Sequence, residues 1–444
     1  MARQAATATL EFGIALVACA LLVAPVAAQS PQDQCVAKDG VPFDQRIAAC
    51  SSVIESGNAA PRDRASAFVN RGNAYYAKRD YDAAIVDYGE AIGLDPDNAT
   101  FHAARGRAYR SKQDYDHALA DFDAAIRLDP NLVVGFGGRG VANLLKGNND
   151  LAIADFNEAI RRDPNLAESF AARGRAYSRK HDYDHAFADF NEALRLNPNS
   201  APALADRGEE YRRRKDYEHA IADFNEAVRL QPESAVAVAG RAFAYHGMRQ
   251  YDRAIEDYSS AIQLASSNAR LFYLRGTAYH VKDDYDHAIA DYDQAIRLDP
   301  NVADAFTRRA MAYEAKHDSS HAMADYDAAI RLQPTAARYF RRGTLYLKQA
   351  VYDCAIADYS DAIRLEPTAM RLAFRGVAYA RAKDLDHAIA DYNAALALEP
   401  RSALALAGRG GAEWEKGEWL AAIIDLAKAK MMGRTDQEAK KDAP

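Results

Sequence analysis

Three sets of side chains in this 444-residue chain are of types that could do chemistry. Arginine and aspartate recur together eleven times at a fixed spacing, from Arg71 with Asp87 to Arg409 with Asp425. Such a ladder could bind anions, because a guanidinium fork offers parallel donors to a carboxylate or phosphate. Six histidines (His117, His185, His219, His287, His321 and His387) recur in one register and could ligate a metal or respond to pH. Cys35 and Cys50 form a pair that an oxidising compartment would join, and Cys354 is then left over.

Recurrence argues against most of this chemistry. A catalytic site needs a unique convergence of groups, whereas these side chains stand in columns, so no enzymatic activity is expected. Histidines of successive units lie at least one helix spacing apart, about 8 to 10 Å. A shared metal needs each nitrogen at roughly 2 Å. His181 with His185 and His317 with His321 are four residues apart, but a turn falls between the members. Neither a metal nor a cofactor is expected, and the histidines read as a solvated outer face. Gly137-Gly138-Arg139-Gly140 does not sit between a strand and a helix and is not a phosphate loop. The arginines read as structural, since an Arg in a helix interface needs a carboxylate partner while its stem packs on neighbours. A net charge of −7 argues against nucleic acid as the main partner.

The elements that carry these columns are two helices per unit. The clearest copy, ARLFYLRGTAYHVKDDYDHAIADYDQAIRLDPNV from Ala269 to Val302, sets a 34-residue frame that recurs eleven times over 65–434. In that frame Arg is at position 7, Asp at 23 and His at 19, with Ala at 20 and 27 in every copy. Position 8 is Gly in nine copies, position 24 is aromatic in all but the last, and Pro closes nine copies at position 32. Positions 4, 7, 8 and 11, then 17, 20, 21, 24, 27 and 28, recur at helical spacing, so each unit is an amphipathic hairpin. The residue before Pro leaves the α region and ends the second helix. Repeat three, with Gly147-Asn148-Asn149 in its turn, and repeat six, with Ser266 for Pro, are where loosening is expected.

A period of 34 with small residues at 8, 20 and 27 resembles the tetratricopeptide repeat family, in an RG-type bacterial exported form. The resemblance implies an all-α, right-handed superhelical solenoid of about eleven helix-turn-helix repeats that binds protein segments in a concave groove. In this family the groove is lined by positions 2, 5, 6, 9, 12 and 13, which here do not repeat. Candidate groove residues are Asn70, Asn73, Arg107, Arg110, Arg175 and Arg212 in the polar first half, and Tyr273 and Phe340 in the more apolar second half. The expected partner is an extended segment with an acidic and an apolar portion, and homo-oligomers are also open. The carboxylate clamp of chaperone-binding relatives is not reproduced, because Val69 and Ala104 stand where Lys and Asn would be wanted. The alternative is a self-assembling or envelope-anchored scaffold.

The ends read differently. Residues 1–28 have the pattern of a secretory signal, with an apolar run from Phe12 to Ala24 too short for a membrane span, which implies export to a periplasmic or secreted location. Leu16-Val17-Ala18-Cys19 also resembles a lipoprotein box, the alternative reading. Residues 29–64 read as a capping half-repeat stapled by Cys35 and Cys50. Gly433 is expected to cap the last helix, with 435–444 a polar disordered tail.

Overall fold

Each hairpin is punctuated by local hydrogen bonding that its residues dictate. The computed structural model describes residues 30–36, 40–57 and 59–441, with side chains as far as 432. Among these residues there are twenty-four helices, α1–α24 in chain order, and no strand. The leader 1–28, with Cys19, lies outside the described residues. First helices such as α3 (Pro61–Ala77), α5 (Ala99–Ser111) and α15 (Ala269–Val281) alternate with second helices such as α4 (Tyr81–Leu94), α6 (Tyr115–Leu128) and α16 (Tyr285–Leu298).

Between α3 and α4, Arg79 sits at φ 64° in the left-handed region, and its N–H and that of Asp80 return to the carbonyls of Tyr76 and Tyr75. That is a Schellman closure, and it recurs at the fifteenth position of the hairpins. Nine of these residues are not glycine, although left-handed backbone is costly for them. Repeat three has Gly147 there, closed by the same pair of bonds to Leu144 and Asn143. Its turn is therefore closed like the others, with a glycine suited to the conformation, as is Gly417 in the last repeat. Repeat six likewise ends its second helix, α14 (Tyr251–Leu264), where the others do, despite Ser266.

Packing divides the chain into two units, Met1–Asp189 and Phe190–Pro444, each built of stacked hairpins. Within a hairpin the aromatic at position 24 lies against the glycine at position 8. A Cβ on Gly276 would come within 2.9 Å of the Tyr292 ring, so the close approach depends on its absence. The alanines at positions 20 and 27, such as Ala288 and Ala295, are buried beside it.

The arginine column ties these layers together. In all eleven hairpins the guanidinium pairs with the aspartate sixteen residues on, as Arg275 does with both oxygens of Asp291 at 2.8 and 2.7 Å. These carboxylates are buried, and Asp291 is only 4% exposed. The remaining nitrogen reaches back to the preceding hairpin. Ten of the arginines donate through Nη1 to a side-chain oxygen there: Ser51, Asp123, Asn157, Asn191, Asn225, Ser259, Asp293, Asp327, Ser360 or Asn393. Arg105 meets Gly89 at the equivalent place. Ten of the eleven guanidinium groups thus close their own hairpin and fasten it to its predecessor.

On the exposed surface a second, weaker row links neighbours: Lys282 pairs with Asp252 and Lys316 with Asp286, from one hairpin to the previous one. At the N-terminus, α1 (Pro31–Val36) and α2 (Phe43–Glu55) are joined through Cys35 and Cys50, and α2 packs on α3 as a second helix would. Ser51 of α2 supplies the acceptor for Arg71, so this segment continues the clamp as well as covering the end. At the other end, α24 (Trp419–Lys441) passes through Gly433 and stays helical to Lys441. The expected cap at Gly433 is therefore corrected: the helix passes through it, and Gln437-Glu438-Ala439-Lys440-Lys441 are helix formers with no proline among them. In this last repeat Ala427 stands where a polar acceptor would be and Leu420 where the surface aspartate would be, so a further hairpin of the same kind would find neither bond.

The clamp can be measured on one layer. Arg275→Ala should cost about 1 to 4 kcal/mol, because it strands the buried Asp291 carboxylate. Ser259→Ala should cost about 1 kcal/mol, and the double variant clearly less than the sum. Chemical denaturation of the four proteins tests this; additive losses would remove the bond between hairpins from the account.

Candidate functional site

The histidine column resolves into helix caps. Each second helix that carries one begins at an aspartate whose carboxylate accepts from the backbone N–H three residues on, as Asp284 does from His287. The imidazole Nδ1 of that histidine bonds back to the same carboxylate, at 2.8 Å for His287 and Asp284, and likewise from His117 with Asp114 to His387 with Asp384. The ring stacks on the tyrosine near the end of the first helix, 5.0 Å from Tyr279 in the case of His287. These are aspartate N-caps in which the histidine three residues on returns its ring to the capping carboxylate itself. Asp-x-x-His is visible in the sequence, yet the periodicity drew attention to the column rather than to its neighbour three residues back. Among the described residues no group of three His, Cys, Asp or Glu could hold a metal ion.

Binding geometry appears where the repetition breaks. In the first unit α3, α5, α7 (Val133–Lys146) and α9 (Ala167–Arg179) line a groove of about 680 Å³. Its floor is apolar, with Ala103, Leu132, Val141 and Phe156. Gly137 and Gly138 open it: a Cβ on Gly137 would meet nothing within 4 Å, whereas one on Gly138 would fall 2.3 Å from the Phe122 ring. Repeat three therefore has no side chain at either point.

Asn73, Arg107 and Arg110 come together at the α3–α5 side of this groove. Arg107 donates to the Asn73 side-chain Oδ1 at 3.3 Å and lies over the Tyr76 ring, 4.6 Å from its centroid. Asn73 also accepts the Tyr88 hydroxyl at 2.8 Å. Burial lowers the Arg110 pKa from its usual value, and the nearby Arg107 charge pushes the same way. Neither arginine has a carboxylate partner among the described residues. Asp163 and Glu168 line the groove from beyond α7.

The other expected residues are placed differently. Asn70 is half-buried on α3 and does not line this groove. Arg175 is half-buried on α9, already engaged by neighbours, and is also absent from the lining. Arg212, in the second unit, is held by both oxygens of Glu209 at 2.6 and 2.5 Å and lies 4.2 Å from the Phe243 ring centroid, so it is not a free cation. Tyr273 tilts against Tyr292 at 6.1 Å. Phe340 packs on Tyr359 and Phe374 at 5.5 and 5.1 Å and lines a second groove of about 590 Å³ with Arg341, Lys348 and Met370. Tyr273 does not line that groove. Among the described residues no helix is long and apolar enough to cross a membrane.

The sequence matches models described as tetratricopeptide repeat over residues 99–132, 137–166, 167–200, 201–234, 269–302, 303–335, 340–398 and 375–431, and as TPR repeat over 72–109 and 250–283. No curated protein matches the chain. Among solved structures, MamA is 26% identical over 36% of this chain and 94% of its own, with a TM-score of 0.35. A tetratricopeptide repeat protein from Parabacteroides merdae is 20% identical over 56% of this chain and 98% of its own, with a TM-score of 0.44. Yeast Tom70 is 18% identical over 85% and 93%, with a TM-score of 0.39.

The aspartate–histidine caps make a pH prediction. The hydrogen bond from His287 holds the Asp284 carboxyl below its ordinary value of 3.8, and the other five caps are shifted the same way. A carboxyl depressed in the folded state stabilises above its unfolded pKa and loses that contribution as pH falls through the folded value. The melting temperature should therefore fall as pH drops below about 4. The deficit of His287→Ala relative to the parent should shrink over the same range, whereas a constant deficit would assign the histidine to packing alone.

Proposed function

The chain belongs to the tetratricopeptide repeat family, whose repeats commonly mediate protein–protein interactions, and we propose that it is a non-enzymatic scaffold that holds an extended protein segment in the groove of the first unit. The observation that carries this reading is the pairing, in one groove, of an apolar floor opened by Gly137 and Gly138 with two arginines that have no carboxylate partner. An apolar side chain of the segment would enter over the glycines, where its burial contributes about 25 cal/mol per Å². A carboxylate on the same segment would take the fork of Arg107 or Arg110, whose charge is otherwise uncompensated. The paired carboxylates at position 23 are unavailable to do the opposite, since every one is occupied by its arginine. The acidic character of the partner follows from this imbalance, and the apolar requirement from the floor.

We place this activity outside the cytosol. The leader pattern over 1–28 and the joined Cys35 and Cys50 both support export. A mature N-terminus at Gln29 supports this placement, and an intact one at Met1 contradicts it.

A displayed peptide library selected on the full chain tests the groove. The selected peptides should combine Asp or Glu with a large apolar residue. Arg107→Glu with Arg110→Glu should weaken them by about tenfold or more and flatten their salt dependence, with little change in melting temperature. Gly137→Leu should block the same peptides by filling the open floor. Selected peptides indifferent to all three changes would move the binding surface away from this groove.

A further inference from the structure

The second unit ends on a face that the repeat does not account for. α24 packs against α23 (Ala403–Lys416) as a second helix does, and its far side is open. In the ten hairpins before it, the outward positions of the second helix are mostly polar or small: position 18 is acidic in nine, position 22 is alanine in eight and position 29 is arginine in seven. In α24 these positions hold Leu420, Ile424 and Met431. Ile423 and Ala427 fall between them, so steps of three and four residues set all five on one side of the helix.

This stripe is open to solvent, with Leu420 75% and Met431 65% exposed and Ile423 and Ile424 about half-exposed. The chain has two tryptophans, and both stand at its N-terminal end: Trp414 and Trp419, about half-exposed, meet edge to face at 4.9 Å. Trp419, Leu420 and Ile424 share one shallow hollow with Glu418 and Ala421. Six large apolar side chains exposed together make a patch on the order of several hundred Å², the size that marks an interaction surface. Its borders are basic. Lys428, four residues after Ile424, flanks one side and Lys430, seven after Ile423, the other; both are exposed, with no carboxylate partner among the described residues. The carboxylates at the start of the helix are engaged, Asp425 by Arg409, Glu415 by Lys383 and Glu418 by Lys416.

Charge and shape select the occupant. A further hairpin of the same kind would find neither the acceptor at position 25 nor the surface aspartate at position 18, which are Ala427 and Leu420 here. A second copy of α24 would set lysine against lysine on both flanks, whether the two helices ran parallel or antiparallel, and such juxtaposition is costly. Protein partners anchor large side chains in pockets, and this convex face offers only the hollow beside Trp419. An anionic bilayer needs no pocket. It takes an apolar stripe into the acyl boundary, indoles at the level of the headgroups and lysines against the lipid phosphates.

We propose that the outward face of α24 is a membrane-contact surface that lies on an anionic lipid bilayer, with Leu420, Ile423, Ile424 and Met431 facing the acyl boundary and Lys428 and Lys430 the headgroups. The helix lies on the bilayer and does not cross it, being neither long nor apolar enough to span. Apolar burial and the attraction of the lysines act together, because neither a short apolar stripe nor two charges alone holds a protein firmly at a membrane. The net charge of −7 opposes association with an anionic surface elsewhere on the chain, so contact is confined to this end. The surface is separate from the groove of the first unit and does not depend on it.

Co-sedimentation of the full chain with phosphatidylcholine vesicles, with and without phosphatidylglycerol, tests the surface, and tryptophan emission reports on it alone because both indoles are here. The chain should bind the anionic vesicles in preference, with a blue shift of its emission and a loss of binding as salt rises. Leu420→Ser with Ile424→Ser should weaken binding about tenfold or more, with little change in melting temperature because both side chains face solvent. Lys428→Gln with Lys430→Gln should remove most of the preference for phosphatidylglycerol while the emission shift at saturating lipid survives. Arg107→Glu with Arg110→Glu should leave vesicle binding unchanged. Failure to bind the anionic vesicles, binding without an emission shift (as the apolar leader alone would give), or binding indifferent to both α24 variants overturns the proposal. So does a concentration-dependent dimer that Leu420→Ser with Ile424→Ser abolishes, since the face would then be covered by a second copy.

Discussion

A guanidinium buried between helices must be paired on every side that water cannot reach, and in this chain that requirement sets the geometry of all eleven hairpins. Asp291 can stay nearly dry only because both its oxygens accept from Arg275. Arg275 in turn needs an acceptor for its remaining nitrogen, and the nearest lies in the preceding hairpin, at Ser259. Buried ion pairs add little net stability compared with apolar packing, but breaking one is expensive. Their effect here is to specify register, because a hairpin rotated or slid against its neighbour would leave a charge unpaired. Small residues at positions 8, 20 and 27 then allow the axes to approach, and the ring at position 24 fills what remains.

Because this clamp is supplied by positions 7, 23 and 25, the other face of the first helix is free to vary. It does so in two chemically distinct ways. In the first unit, repeat three gives up side chains at Gly137 and Gly138 and leaves an apolar floor beside Arg107 and Arg110. In the second unit, Phe340 and Met370 line a groove beside Arg341 and Lys348. Arginine therefore has two roles in one protein, told apart by whether a carboxylate answers it: Asp291 holds Arg275, and no carboxylate among the described residues holds Arg107 or Arg110.

The frame, the helix ends between repeats and the pairing of Arg with Asp were all legible in the sequence, since each rests on a residue type that recurs in the repeat. The bond between hairpins was not. Ser259, Asn225 and Asp293 share a role but not a residue type, so position 25 looks variable although ten of its members, Ser51 included, accept the same donor. The histidines were seen as exposed, but their function as caps depended on an aspartate three residues earlier. The groove was only partly legible. Asn73, Arg107 and Arg110 line one groove, yet Arg212 is neutralised by Glu209 within its own helix, and Tyr273 and Phe340 do not share a lining. Such outcomes turn on rotamers and on local competition for partners, which a list of residues by position does not contain. The helix that continues through Gly433 shows the same limit: glycine permits a stop without requiring one.

Hydrogen exchange in the Arg275→Ala protein tests the clamp most directly, because stacked repeats transmit stability mainly between nearest neighbours. If each arginine fastens its hairpin to the one before, amides of α14, which carries Ser259, should exchange faster along with those of α15 and α16. The layers several hairpins away should keep their parent rates. Faster exchange confined to α15 and α16, with α14 unchanged, would contradict the account, since the arginine would then close its own hairpin and nothing more.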